Sequence, residues 1–66
     1  MNWDQVQGQW KQLKGKAVAH WGELTDDDVD KVNGDRAQLE GMIQEKYGKT
    51  KEAAKEEVDQ WIAKHS

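Results

Sequence analysis

The chain has 66 residues, 35% of them hydrophobic and 35% charged, with no cysteine, no proline and a formal net charge of -3. A chain this short forms one domain at most, spanning residues 1–66, and buries only about 60% of the surface its unfolded form exposes. The composition excludes disulfide and thiol chemistry, contains no run of about 18 apolar residues able to cross a membrane, and sets a negative chain against polyanionic nucleic acid.

Four tryptophans, Trp3, Trp10, Trp21 and Trp61, supply the bulk that the scarce aliphatic residues cannot. Each can bury on the order of 150–250 Å². Strand-like alternation never appears; helical spacing does. Trp3, Val6, Trp10, Leu13, Ala17, Trp21 and Leu24 recur at steps of three and four, which predicts one continuous first helix. Asn2 with Gln5 three residues later forms a capping pair at its start. Gly22 is expected to end it in the left-handed conformation.

A second helix should begin at Thr25, whose hydroxyl can accept from first-turn amides while Asp26, Asp27 and Asp28 complement the helix dipole. Val29 and Val32 face inward, and Asn33-Gly34 ends this helix after about two turns, a length that must lean on neighbours. Asp35 caps a third helix whose apolar stripe is Leu39, Met42, Ile43 and Tyr47, with Gly48 as its terminator. Thr50 caps a fourth, with Ala54, Val58, Trp61 and Ile62 on one face. Joints of a few residues favour consecutive helices packing as hairpins. The expected fold is all-α, a small bundle of about four helices.

Each charge cluster has a structural reading that outweighs a chemical one. The acidic run lacks the alternating oxygen ligands and glycine turn of a calcium loop, so helix capping accounts for it. His20 and His65 lie near helix ends, where partial positive charge is favourable, and neither a cysteine nor a third histidine accompanies them. Lys11, Lys14 and Lys16 fall at about 140°, 80° and 280° relative to Val6 by the 100° step, so they ring the helix and form no basic face. Nucleophilic catalysis has little to draw on: Ser66 is the only serine, and both Thr25 and Thr50 serve as caps. No catalytic residue, cofactor or metal is expected.

Gly8, Gly15 and Gly41 resist this account, because they fall inside predicted helices, where each costs roughly 1 kcal/mol relative to alanine. Gly8 and Gly15 lie about 200° and 180° from Val6, and Gly41 also points away from its stripe. Two readings stand. They offer a smooth surface for a partner's backbone, with Trp3 as an adjoining aromatic, or they are merely tolerated.

The blocks Gly8-Gln9-Trp10-Lys11-Gln12-Leu13-Lys14-Gly15-Lys16 and Trp21-Gly22-Glu23-Leu24-Thr25-Asp26-Asp27-Asp28, then Gly34-Asp35-Arg36-Ala37-Gln38-Leu39, occur in that order. Gly41-Met42-Ile43-Gln44-Glu45-Lys46-Tyr47-Gly48 and Glu57-Val58-Asp59-Gln60-Trp61 follow. Together they resemble the CsbD-like family of small bacterial general-stress proteins over nearly the whole chain. The resemblance implies two near-orthogonal helical hairpins, similar to the SAM-domain arrangement, and production under stress. It implies no assigned activity and carries no catalytic or ligand-binding residue onto this chain.

The expected function is therefore that of a non-enzymatic, cytoplasmic, monomeric stress-response protein, acting as a soluble protective or protein-interaction domain. The alternatives are a regulatory module with a specific protein partner and, more weakly, a peripheral membrane or nucleic-acid binder in which Trp3 and Trp10 insert.

Overall fold

The computed structural model describes residues 2–65 as five α-helices joined by short turns: α1 (Trp3–Gly8), α2 (Trp10–His20), α3 (Asp26–Val32), α4 (Arg36–Tyr47) and α5 (Lys51–Lys64). Ser66, singled out above as the lone serine, lies outside the described residues. Four of the five helices start on a side-chain cap. Asn2 and Gln5 form a reciprocal capping box, and Thr25 and Asp28 form a second. The Asp35 carboxylate accepts from the amides of Ala37 and Gln38, and the Thr50 hydroxyl accepts from that of Ala53. Each satisfies amides that helix geometry leaves unpaired.

The predicted first helix is two helices. Gln9 leaves helical geometry at φ -111°, ψ 16°, yet the hydrogen bonding barely lapses. Its amide donates to Gln5 O and Val6 O, and its carbonyl accepts from the amides of Gln12 and Leu13. The bend is cheap for that reason, and it brings α1 against the α3–α4 turn. The rings of Trp3 and Trp10 lie 6.1 Å apart, and Trp3 Nε1 donates to Gly34 O at 2.7 Å.

Gly22 is not left-handed; among the described residues positive φ occurs at Asn33, Gly34 and Gly48. The chain instead leaves α2 through an extended Trp21 (φ -110°, ψ 88°), whose amide still donates to Ala17 O. That exit swings the indole toward α5, where its Nε1 donates to Glu57 Oε1 at 3.1 Å. The other terminators behave as expected, with Asn33 and Gly48 both in the left-handed region.

The core gathers Val6, Trp10, Leu13, Ala17, Trp21, Leu24, Val29, Val32, Leu39, Ile43, Ala54, Val58, Trp61 and Ile62, with Trp3, Val18 and Met42 packed against it. Tyr47 departs from the predicted stripe and is 36% exposed. Its hydroxyl explains the departure: it accepts from the amide of Glu23 at 3.0 Å, tying the α2–α3 loop to the end of α4. Helices adjacent in sequence pack on one another. Arg36 fastens α4 to α5, donating to Glu40 within its own helix and to Lys55 O and Asp59 across it.

Gly34 is where glycine is required. It is buried with φ +80°, and a Cβ there would meet Gln7 Cγ at 3.0 Å and Gln7 Cα at 3.4 Å. The left-handed conformation alone costs an L-residue about 1–2 kcal/mol. Gly34→Ala should therefore lose about 2–3 kcal/mol, conformational cost and displacement of Gln7 together. Gly48→Ala, at φ +64° with nothing within 4 Å, should lose only about 1 kcal/mol. Urea unfolding of the two variants side by side checks the ranking.

Candidate functional site

The four residues singled out from sequence occupy different settings. Gly8 ends α1, Gly15 lies in α2 and Gly41 in α4; all three are exposed, and a Cβ on any of them would meet nothing within 4 Å. Trp3 is half-buried, its ring tilted 44° against that of Trp10 and its N–H already committed to Gly34 O. It is an anchor for α1 rather than a free aromatic finger. Gly8 lines an open depression of about 370 Å³ with Gln7, Lys11, Lys14, Asp30 and Asn33. Lys14 and Asp30 pair there at 2.7 Å, while Lys11 forms no ion pair among the described residues.

Beneath this surface the indoles form a connected row. Trp3 meets Trp10, Trp10 meets Trp61 edge-on at 6.5 Å, and Trp61 meets Trp21 at 5.3 Å. Pairs at these spacings add about 0.5–1.5 kcal/mol each beyond their burial. Three of the N–H groups also link separate elements: Trp3 to the α3–α4 turn, Trp10 to Val29 O in α3 at 2.9 Å, and Trp21 to Glu57 in α5. The fourth, Trp61 Nε1, is buried without a hydrogen-bond partner among the described residues.

The acidic run is differentiated by burial. Asp26 and Asp27 are exposed, whereas Asp28 is only 9% exposed. Its carboxylate accepts from the Thr25 amide at 3.0 Å and pairs with Lys46 at 3.3 Å. That backbone hydrogen bond first, and then Lys46, hold its carboxyl below the usual range against the opposing effect of burial. A carboxyl whose folded pKa is depressed contributes stability fully above the unfolded value of about 4, and loses it as pH falls through the folded one. Asp28→Asn, which keeps a capping oxygen and removes the titration, should flatten the acid side of the stability profile, read as urea midpoints between about pH 3 and 6. Glu57 is also depressed, chiefly by its hydrogen bond with Lys49 and further by that from Trp21.

Among the described residues no three histidine, aspartate or glutamate side chains converge as a metal site requires, and no helix is long and apolar enough to cross a membrane. The geometry thus presents a capped, tryptophan-centred core under a polar, glycine-bearing surface.

Comparison with known proteins places the chain in a family. The CsbD-like family model matches residues 4–56. The chain belongs to the CsbD-like family. Its relatives include a UPF0337 protein of Pectobacterium atrosepticum, 57% identical over 65 residues, covering 98% of this chain and 94% of the relative. UPF0337 protein YjbJ of Escherichia coli is 52% identical over the same shares, and a UPF0337 protein of Bordetella pertussis is 56% identical over 94% of each chain. No solved structure matches significantly. This CsbD-like chain therefore stands in a general stress-response family, among relatives named as UPF0337 proteins.

Sequence reasoning passed over Gly34 as more than a helix stop. The Asn33-Gly34 dipeptide signals a turn, but the demand for a bare backbone comes from Gln7 and Trp3 of α1, brought there by the bend at Gln9.

Proposed function

We propose that the protein is a non-enzymatic stress protein, working in the cytoplasm as a monomeric single domain that protects other macromolecules through abundance and hydration. The observation that carries this reading is the surface: among the described residues the only large hydrophobic side chain that is exposed is Tyr47, at 36%, in a chain of mean hydropathy -1.16. Surfaces that bind partners tightly present contiguous apolar patches of a few hundred Å². A surface without one stays soluble at high concentration, and the net charge of -3 adds mutual repulsion. The test is a heat- or drying-stressed enzyme mixed with excess protein and followed by light scattering. Aggregation should fall with dose, and by more than an equal mass of an inert carrier achieves; equal effects would sink the reading.

A second reading, a regulatory module with a specific protein partner, is favoured by one observation. Nothing lies within 4 Å of where a Cβ would sit on Gly8, Gly15 and Gly41, so another backbone can approach those helix faces closely, with Trp3 nearby in sequence to Gly8. Crosslinking in stressed cells tests it: a discrete adduct that disappears on Gly15→Arg supports the module, and an adduct indifferent to that change removes it.

A further inference from the structure

The C-terminal ends of α2 and α5 come together around an open depression of about 340 Å³ lined by Lys16, Ala19, His20, Lys64 and His65. Four of these five residues are basic, none is acidic, and the whole chain is negative. Elsewhere Lys14 pairs with Asp30, Lys46 with Asp28, Lys49 with Glu57, and Arg36 with Glu40 and Asp59, whereas Lys11, Lys31, Lys51 and Lys55 form no ion pair among the described residues; what distinguishes Lys16 and Lys64 is that they share one depression with two imidazoles. Neither Lys16 nor Lys64 forms an ion pair among the described residues.

Helix-dipole complementation does not account for so many. Each helix C-terminus carries roughly -0.5 of a charge, so two ends together offset about one cation. Two lysines exceed that. The imidazoles are also held in place: His20 stands edge-on to Trp21 at 4.6 Å and His65 edge-on to Trp61 at 5.4 Å. A concave cluster of oriented basic groups, answered only in part, on the His20 side by Glu57, is an arrangement that a bound anion relieves.

We propose that this depression binds a small phosphorylated anion of the diphosphate class, gripped by Lys16 and Lys64 and capped by the two imidazoles. Two lysines on separate helices present two ammonium donors to one ligand, which suits an anion with several oxygens better than a monatomic one. Proton linkage follows from the surroundings. His65 is held below the usual imidazole range by burial first, and then by Lys16 and Lys64 and by His20. On the His20 side, Glu57 of α5 supplies the compensating negative charge, itself engaged by Lys49 and Trp21. An anion set among the cations favours the charged imidazole, so binding takes up protons and tightens as pH falls.

Titration with inorganic pyrophosphate, followed by the ring-proton NMR signals of His20 and His65, tests the site. Expected is a saturable shift at about pH 6 that weakens at least about threefold by about pH 8. Lys16→Glu with Lys64→Glu should weaken binding by roughly tenfold or more, while Lys31→Glu with Lys51→Glu, exposed lysines outside the depression, should leave it unchanged. Lys16→Gln with Lys64→Gln provides a milder version whose fold is checked by circular dichroism. ADP in a parallel arm identifies the source: equal affinity assigns the diphosphate itself, and ADP at least about tenfold tighter assigns a nucleotide; either supports the site. No saturable shift up to about 10 mM, or equal weakening by the two glutamate pairs, overturns it.

Discussion

Trp61→Ala is expected to remove about half of the chain's stability, read as a large fall in the urea midpoint of the helical circular dichroism signal. Tryptophan truncated to alanine in a core costs about 3–5 kcal/mol, whereas a chain of this length has only about 3–10 kcal/mol to lose. Trp61 is 1% exposed and meets Trp10 and Trp21 of the indole row, so its removal leaves a cavity where α5 closes on α2. Neighbouring rings cannot collapse into that space easily, because Trp10 and Trp21 are pinned by hydrogen bonds to Val29 O and Glu57. Trp61→Phe should be far milder. It forfeits part of the ring, but it also removes the buried N–H that lacks a partner, a group whose burial costs about 1–3 kcal/mol. The two terms oppose, and a net change within about 1.5 kcal/mol is expected from urea midpoints. A Phe variant as damaged as the Ala variant would show that the N–H is satisfied in solution.

The features legible in sequence were the local ones. The apolar steps from Trp3 to Leu24, the caps at Asn2, Thr25, Asp35 and Thr50, and the terminators at Asn33 and Gly48 depend on residues within about one turn, and each stands in the structure. What escaped depends on distant partners. Nothing in Gly8-Gln9-Trp10 forbids a straight helix; the bend accompanies a contact between Trp3 and Gly34, 31 residues away. Trp21 leaves its helix extended with its indole bonded to Glu57, 36 residues away, which removes the need for a left-handed Gly22. Tyr47 lies where helical periodicity would bury it, but its hydroxyl meets the Glu23 amide at the surface. The candidate sites divide in the same way. The outward facing of Gly8, Gly15 and Gly41 follows from 100° steps. The basic depression does not, since Lys16 and His20 meet Lys64 and His65 only once α2 and α5 are packed.

Replacing Gly8, Gly15 and Gly41 together with alanine is expected to raise stability by about 2 kcal/mol. Gly15 and Gly41, inside helices, should contribute about 1 kcal/mol each, and Gly8, the last residue before the bend, only a few tenths. The added methyl groups meet nothing within 4 Å, so no clash offsets the gain. For a domain of this size that corresponds to roughly 8–16 °C in Tm, measured by thermal melts of the variant beside the parent. The same variant separates the two functional readings. Protection through hydration depends on the polar surface as a whole and should survive three methyl groups unchanged. A partner whose backbone rests on these helix faces would be pushed away, so adduct formation should fall while the melting temperature rises. Stability gained with interaction lost is the signature of glycines retained for contact, because a merely tolerated glycine has nothing to lose by becoming alanine.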